Sequence, residues 1–96
     1  MNRPTHLRFS PGEIIATRGA LEHLAAHGVP PARLLARHMS GADWGELDAD
    51  DVRANEAALV SGARLLSCYV VGEVKLYVIT EAEPREVTAI LLADEY

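Results

Sequence analysis

The last third of the chain constrains the fold most, because after Gly62 it consists of three runs rich in β-branched and aromatic residues. Residues 64–71, 75–82 and 86–93 have the length and composition of strands. Gly72-Glu73 and Glu83-Pro84 join them, and connections this short predict antiparallel hairpins. If those dipeptides are the turn centres, one face carries the following residues: Leu65, Ser67, Tyr69, Leu76, Val78, Thr80, Val87, Ala89 and Leu91.

The predicted sheet is apolar on its other face as well. That face would carry Leu66, Cys68, Val70, Tyr77, Ile79, Ile90 and Leu92. An antiparallel sheet with one face in water normally alternates apolar and polar residues. Three short helices are too few to cover both faces, so we expect a homodimer formed through the sheet or its edge.

Residues upstream of Gly62 indicate three helices. Thr17 is a suitable N-cap for a helix that ends near Gly28, and the pair Pro30-Pro31 suits the first turn of a second. Asp48 caps a third helix, which stops at Gly62. Residues 13–16 are either extended or lead into the first helix.

Together these patterns predict an α+β fold. About three N-terminal helices would pack on a C-terminal antiparallel sheet of three strands, or of four if an N-terminal strand joins it. Residues 1–10 are predicted to be a polar N-terminal tail, and residues 11–96 a single domain.

Charge and composition exclude several classes of function. The formal net charge is −5 and the basic residues are scattered, which disfavours extended binding to nucleic acid. The sequence has no membrane span, no secretory signal and a single cysteine, which predicts a cytoplasmic protein. His23 and His27 are four apart but lack a third ligand, and nucleotide-binding motifs are absent, so neither a metal site nor a cofactor is predicted.

One set of residues fits a metal-independent ribonuclease. In the proposed register Arg64 lies opposite Glu81, and His38 would approach them if the second helix packs there. A carboxylate would take the 2′-hydroxyl proton, the histidine would protonate the leaving oxygen, and the guanidinium would stabilise the phosphorane. The alternative interpretation, which we favour, is an ordinary cross-strand ion pair between Arg64 and Glu81.

The segment around the single tryptophan is the second candidate site. Trp44 and Asp43 would line a contact patch for a partner, together with Asp50 and Asp51 of the acidic cluster that follows. The structural alternative is that Trp44 fixes the helices to the sheet while the aspartates serve the start of the third helix.

These motifs resemble those of a family of small bacterial proteins of unknown function, often encoded on plasmids and other mobile elements. The family signature reads H-x-x-G-D-W-G, N-E, R-L-L-S-x-Y, I-T-E-A-D-R, T-x-L-L and a terminal E-Y. The matching residues are 38–45, Asp48, Asp51, 55–56, Gly62, 64–67, Tyr69, 79–81, Thr88, 91–92 and 95–96. This chain departs from the signature at Ala42 and at the turn 83–85. The resemblance implies a shared fold and a site built from His38, Trp44, Arg64 and Glu81.

The sequence therefore favours a small acidic interaction or accessory protein of bacterial mobile elements. It would act by binding a protein partner, for example a basic protein that handles nucleic acid or serves in defence. The alternative is a ribonuclease-like toxin that uses His38, Arg64 and Glu81. The helix-then-sheet layout resembles the barnase, EndoU, colicin and RelE group of ribonucleases, which is the support for that alternative.

Overall fold

A strand precedes every helix in the described part of the chain. The computed structural model describes residues 7–96. In chain order its elements are β1 (Glu13–Ala16), α1 (Arg18–Ala26), α2 (Pro31–Met39), α3 (Ala49–Ser61), β2 (Leu65–Val71), β3 (Val74–Thr80), β4 (Val87–Leu92) and a short 3-10 helix (Ala93–Glu95). Within this part of the chain, no helix is long and apolar enough to cross a membrane.

The predicted fold class is wrong in two respects, although the fold is α+β. The helices are not all N-terminal to the sheet, because β1 precedes them, and the sheet is mixed rather than antiparallel. Its strand order is β1-β4-β3-β2, with β1 parallel to β4. The β-branched residues Ile14 and Ile15 of β1 pair with the edge of β4 that the hairpins leave unpaired. Strand β4 is more than seventy residues away in the sequence.

The first hairpin has the predicted register and the second does not. Tyr69 pairs with Leu76, and Leu65 pairs with Thr80. In β4, however, the residues on this face are Thr88, Ile90 and Leu92 rather than Val87, Ala89 and Leu91. The connection between β3 and β4 runs from residue 81 to residue 86 and is longer than a two-residue turn, so every side chain of β4 changes face.

The three helices begin and end where local signals place them. Thr17 accepts a hydrogen bond from the Ala20 amide, and Asp48 accepts one from the Asp51 amide. Gly62 ends α3 with a φ of 85°, a left-handed conformation that costs glycine little. Local capping chemistry therefore fixes the helix bounds.

All three helices pack against one face of the sheet, which we call the helix face. Leu24 of α1 and Leu34 of α2 cover Tyr69, Val78 and the neighbouring strand residues. A second cluster joins Ala58 of α3 and Trp44 to Leu65. Phe9, which falls within the predicted tail, packs against this second cluster, while residues 1–6 of that tail lie outside the described part of the chain.

The opposite face, which we call the open face, has no residue in either buried cluster. By the observed register it carries the apolar residues Ile15, Leu66, Cys68, Val70, Tyr77, Ile79, Val87, Ala89 and Leu91. It also carries two exposed charged residues, Glu13 and Lys75, and Lys75 lies directly opposite Val70. Val70 is 46% exposed and Ile15 is 49% exposed. Cys68 and Ile79 are 3% and 9% exposed, so the apolar surface that meets solvent is formed by Ile15, Val70 and the half-buried residues around them.

Candidate functional site

His38 lies at the centre of a buried polar chain on the helix face. Helix α2 places its fully buried imidazole above β2 and β3. Its Nδ1 atom is 2.6 Å from Ser67 Oγ and its Nε2 atom is 2.9 Å from Thr80 Oγ1. Burial and, secondly, the positive charge of Arg85 together lower the pKa of His38 to about 4. The imidazole is therefore neutral near pH 7.

The direction of each hydrogen bond in this buried polar network follows from Thr88, its last member. Thr88 donates its one hydroxyl proton to the Pro11 carbonyl at 2.7 Å. The 2.7 Å bond between Thr88 and Thr80 must then be donated by Thr80, which leaves Thr80 to accept from Nε2–H of His38. In a neutral imidazole Nδ1 is then the acceptor, and Ser67 donates to it.

This order predicts the tautomer of His38. At pH 7 we expect Nε2 to carry the proton and Nδ1 to be bare, and we expect Thr80→Val to cost about 1–3 kcal/mol because Nε2–H would lose its acceptor. Nitrogen chemical shifts of the imidazole, measured by NMR, distinguish the two tautomers. A proton on Nδ1 would contradict the order derived from Thr88.

The three residues of the ribonuclease alternative do not come together. Arg64 donates a hydrogen bond to the hydroxyl of Tyr96, whose ring packs edge-on against Tyr77 of the open face. The side chain of Glu81 is exposed, whereas His38 is enclosed on the helix face. Ser67 and Thr80 take both nitrogens of His38, so no ring nitrogen is free to face a phosphate.

Trp44 is part of the interior. Its side chain is 4% exposed, its ring lies edge-on to His38 with centroids 5.8 Å apart, and its indole N–H points to Glu56 Oε2 at 3.4 Å. The backbone on either side of Gly45 pairs with Cys68, since Trp44 O accepts from the Cys68 amide and the Glu46 amide donates to Cys68 O. Gly45 is required here because a Cβ would collide with the Cys68 carbonyl. The Trp44 segment closes the outer edge of β2.

Asp43 holds this segment in place through Arg37. The guanidinium donates to both carboxylate oxygens, at 2.7 and 3.1 Å, and this ion pair lowers the pKa of Asp43. Arg37 also lies over the ring of Tyr69 at 4.3 Å, and the Tyr69 hydroxyl donates to the Asp43 carbonyl. Burial raises the pKa of Tyr69 to about 12, so its hydroxyl remains a donor.

The remaining predicted residues are on the surface. Asp50 and Asp51 lie exposed in the first turn of α3, where Asp50 pairs with Arg53. His23 and His27 stack with ring centroids 4.3 Å apart, and His23 Nε2 is 2.7 Å from the Val71 carbonyl. In the range 7–96, no group of three or more His, Cys, Asp or Glu side chains is placed to hold a metal ion.

Two residues that sequence reasoning missed fix α3 to the sheet. Arg85 is 5% exposed and donates to the carbonyls of Ala58, Ala63 and Glu81 at 3.0–3.2 Å. Asn55 binds both the amide and the carbonyl of Leu66, at 3.1 and 2.7 Å. In the sequence, Arg85 stands next to a predicted turn and Asn55 within a predicted helix, and neither position indicates these contacts.

The open face is the best candidate for a functional surface. Its most exposed apolar side chains are Ile15 and Val70, and Leu66, Tyr77 and Leu91 on it are half-buried. Tyr96 packs on Tyr77 and is 66% exposed, which extends the apolar surface beyond the sheet. Contiguous apolar surface of this kind is typical of protein contact sites.

Comparison of the chain with protein-family models, with curated proteins and with solved structures finds no match.

Proposed function

We propose that this is a protein-binding accessory protein, which contacts its partner through the open face of the sheet. The apolar composition of that face is the observation that carries the proposal. A sheet face in contact with water normally has polar side chains at alternate positions, but Leu66, Val70, Tyr77 and Leu91 take those positions here. No helix within residues 7–96 contributes to a buried cluster on that face.

The charge of the chain indicates the chemistry of the partner. The net charge is −5, and around the open face two exposed carboxylates, Glu13 and Glu81, outnumber the one exposed amine, Lys75. A partner with an apolar centre and basic residues around it would complement this surface and associate faster than a neutral one. The sequence resemblance favours a role on bacterial mobile elements, the single cysteine favours the cytoplasm, and the negative charge favours a basic nucleic-acid-handling or defence protein as the partner.

A ribonuclease function has less support. It needs His38, Arg64 and Glu81 around one phosphate, and the buried imidazole is hydrogen-bonded away from the other two. An arrangement of these residues that performs the reaction would require α2 to leave the sheet.

A pair of matched valines tests the proposal. Val70 lies on the open face, and Val60 is 91% exposed on α3, away from that face. We expect Val70→Asp to weaken partner binding at least tenfold and Val60→Asp to leave it unchanged, because only the first puts a charge into the apolar contact. The measurement is affinity capture from the native host, followed by a dissociation constant for the isolated partner. Equal affinity for the two variants would refute a contact at the open face.

A further inference from the structure

The two edge strands of the sheet, β2 and β1, differ in whether other parts of the chain bind their outward backbone groups. Along the outer edge of β2, Asn55 binds the backbone of Leu66, and the Trp44 segment binds that of Cys68. Along β1, the amides of Glu13 and Thr17 both point inward, to Glu86 and Ile90. Because successive amides of a strand alternate in direction, those of Ile14 and Ala16 point outward. No strand within residues 7–96 lies beyond them, since β1 ends the sheet.

The side chains of β1 leave this edge open to another strand. Ile14 is 46% exposed and Ile15 is 49% exposed, so the edge strand is apolar toward both faces. The strand is only four residues long and starts with the charged Glu13, but it contains no lysine, proline or bulge that would block edge pairing at residues 14–16. The outward amides and carbonyls of β1 lie between apolar side chains on both faces, an arrangement that suits pairing with a second apolar strand.

We propose that β1 pairs antiparallel with β1 of a second copy of this chain, which joins two sheets into one across a two-fold axis. The register is set by the backbone. Pairing Ile14 with Ala16 of the second copy uses every outward amide and carbonyl of both strands. Registers centred on Ile14 or on Ala16 use only half of them, because Gly12 has a φ of 66° and α1 begins at Arg18.

This register also satisfies the side chains. Ile15 lies on the axis and meets Ile15 of the second copy on the open-face side, where non-hydrogen-bonded pairs place Cα atoms about 4.5 Å apart. Glu13 lies opposite Thr17 of the second copy, so no like charges face each other, and the next residue along is the exposed Arg18. The two helix layers then cover one side of the joined sheet and the two open faces form the other.

The proposal does not depend on the function proposed above, because it uses the backbone edge of β1 and, of the open-face residues, involves Ile15 and Glu13 but not Val70. The test is disulfide crosslinking of two adjacent cysteine variants. With the proposed register, the two copies of Ile15→Cys bring their thiols within disulfide range. In Ile14→Cys the Cα atoms of the two cysteines are roughly 8–9 Å apart, which is beyond that range. The native thiol, Cys68, is buried and does not compete.

We expect wild-type protein to be a dimer by sedimentation, and Ile15→Cys to form a crosslinked dimer under mild oxidation at least tenfold faster than Ile14→Cys. Ile14→Pro removes one outward amide and leaves the inward bonds to β4 intact, so we expect it to fold and to be monomeric. Val70→Asp should remain dimeric, which separates this result from the partner test. A monomeric wild type, or equal crosslinking at the two positions, would overturn the proposal.

Discussion

Arg85→Met is expected to destabilise the protein by roughly 3 kcal/mol, because three backbone carbonyls lose a charged donor in a buried place. The guanidinium joins Ala58 near the end of α3, Ala63 in the following loop and Glu81 after β3. Glu83 pairs with it at 3.1 Å from the solvent side, with a side chain 66% exposed. No methionine or lysine side chain presents a planar fork of donors to all three carbonyls.

The backbone at Arg85 adds to this expectation. Its φ is 55°, a left-handed conformation that costs a residue other than glycine about 1 kcal/mol. The contacts of the guanidinium offset that cost, and a substitution that removes them leaves the strained backbone without compensation. In Arg85→Met, the backbone amide hydrogens near Gly62 and Glu83 are therefore expected to exchange with solvent first. The reason is that Glu83 N donates to Gly62 O where the end of α3 meets the loop after β3.

Arg53→Met is the matched control. Arg53 is also an arginine in an ion pair, with Asp50, but its side chain is 70% exposed and the pair is on the surface of α3. Such pairs contribute at most about 1 kcal/mol. Urea unfolding of both variants at pH 7 gives the comparison. If Arg85→Met were no less stable than Arg53→Met, the three carbonyl contacts would not anchor α3.

The helices were predictable because their signals are local. Thr17, Asp48 and Gly62 each act within one turn of their own helix, and each has its predicted capping role. The first hairpin was predictable for the same reason, since Gly72-Glu73 sets its register from two adjacent residues.

The features that the sequence left open or placed wrongly depend on distant parts of the chain. Strand β1 is four residues long and is a strand because β4 lies beside it, which no pattern within 13–16 reveals. The register of β4 depends on the path of the loop 81–86, and an assumed two-residue turn shifts it by one residue. The partners of His38 come from two strands that the sequence had placed on one face, but nothing local indicated that α2 crosses above Ser67 and Thr80.

Acid is expected to reduce the stability of the wild-type protein by roughly 3 kcal/mol between pH 6.5 and pH 4 through His38 alone. Folding lowers the pKa of this imidazole from 6.5 to about 4. Over that interval the unfolded chain binds a proton at His38 and the folded protein does not. The stabilising contribution is therefore complete above pH 6.5 and is lost as the pH falls toward 4.

His38→Gln isolates this contribution, since glutamine keeps hydrogen-bonding groups in the site but does not titrate. We expect the variant to be less stable than wild type at pH 7, because the amide fits the Ser67–Thr80 pair less well, and to lose roughly 3 kcal/mol less between pH 6.5 and pH 4. All other titrating groups are common to both proteins, so the difference between their urea unfolding curves reports His38. Parallel stability curves would mean that the folded protein protonates His38 as readily as the unfolded chain. Because Arg85 also lowers this pKa, Arg85→Met should flatten the pH dependence in the same direction, which links the anchor of α3 to the buried polar chain.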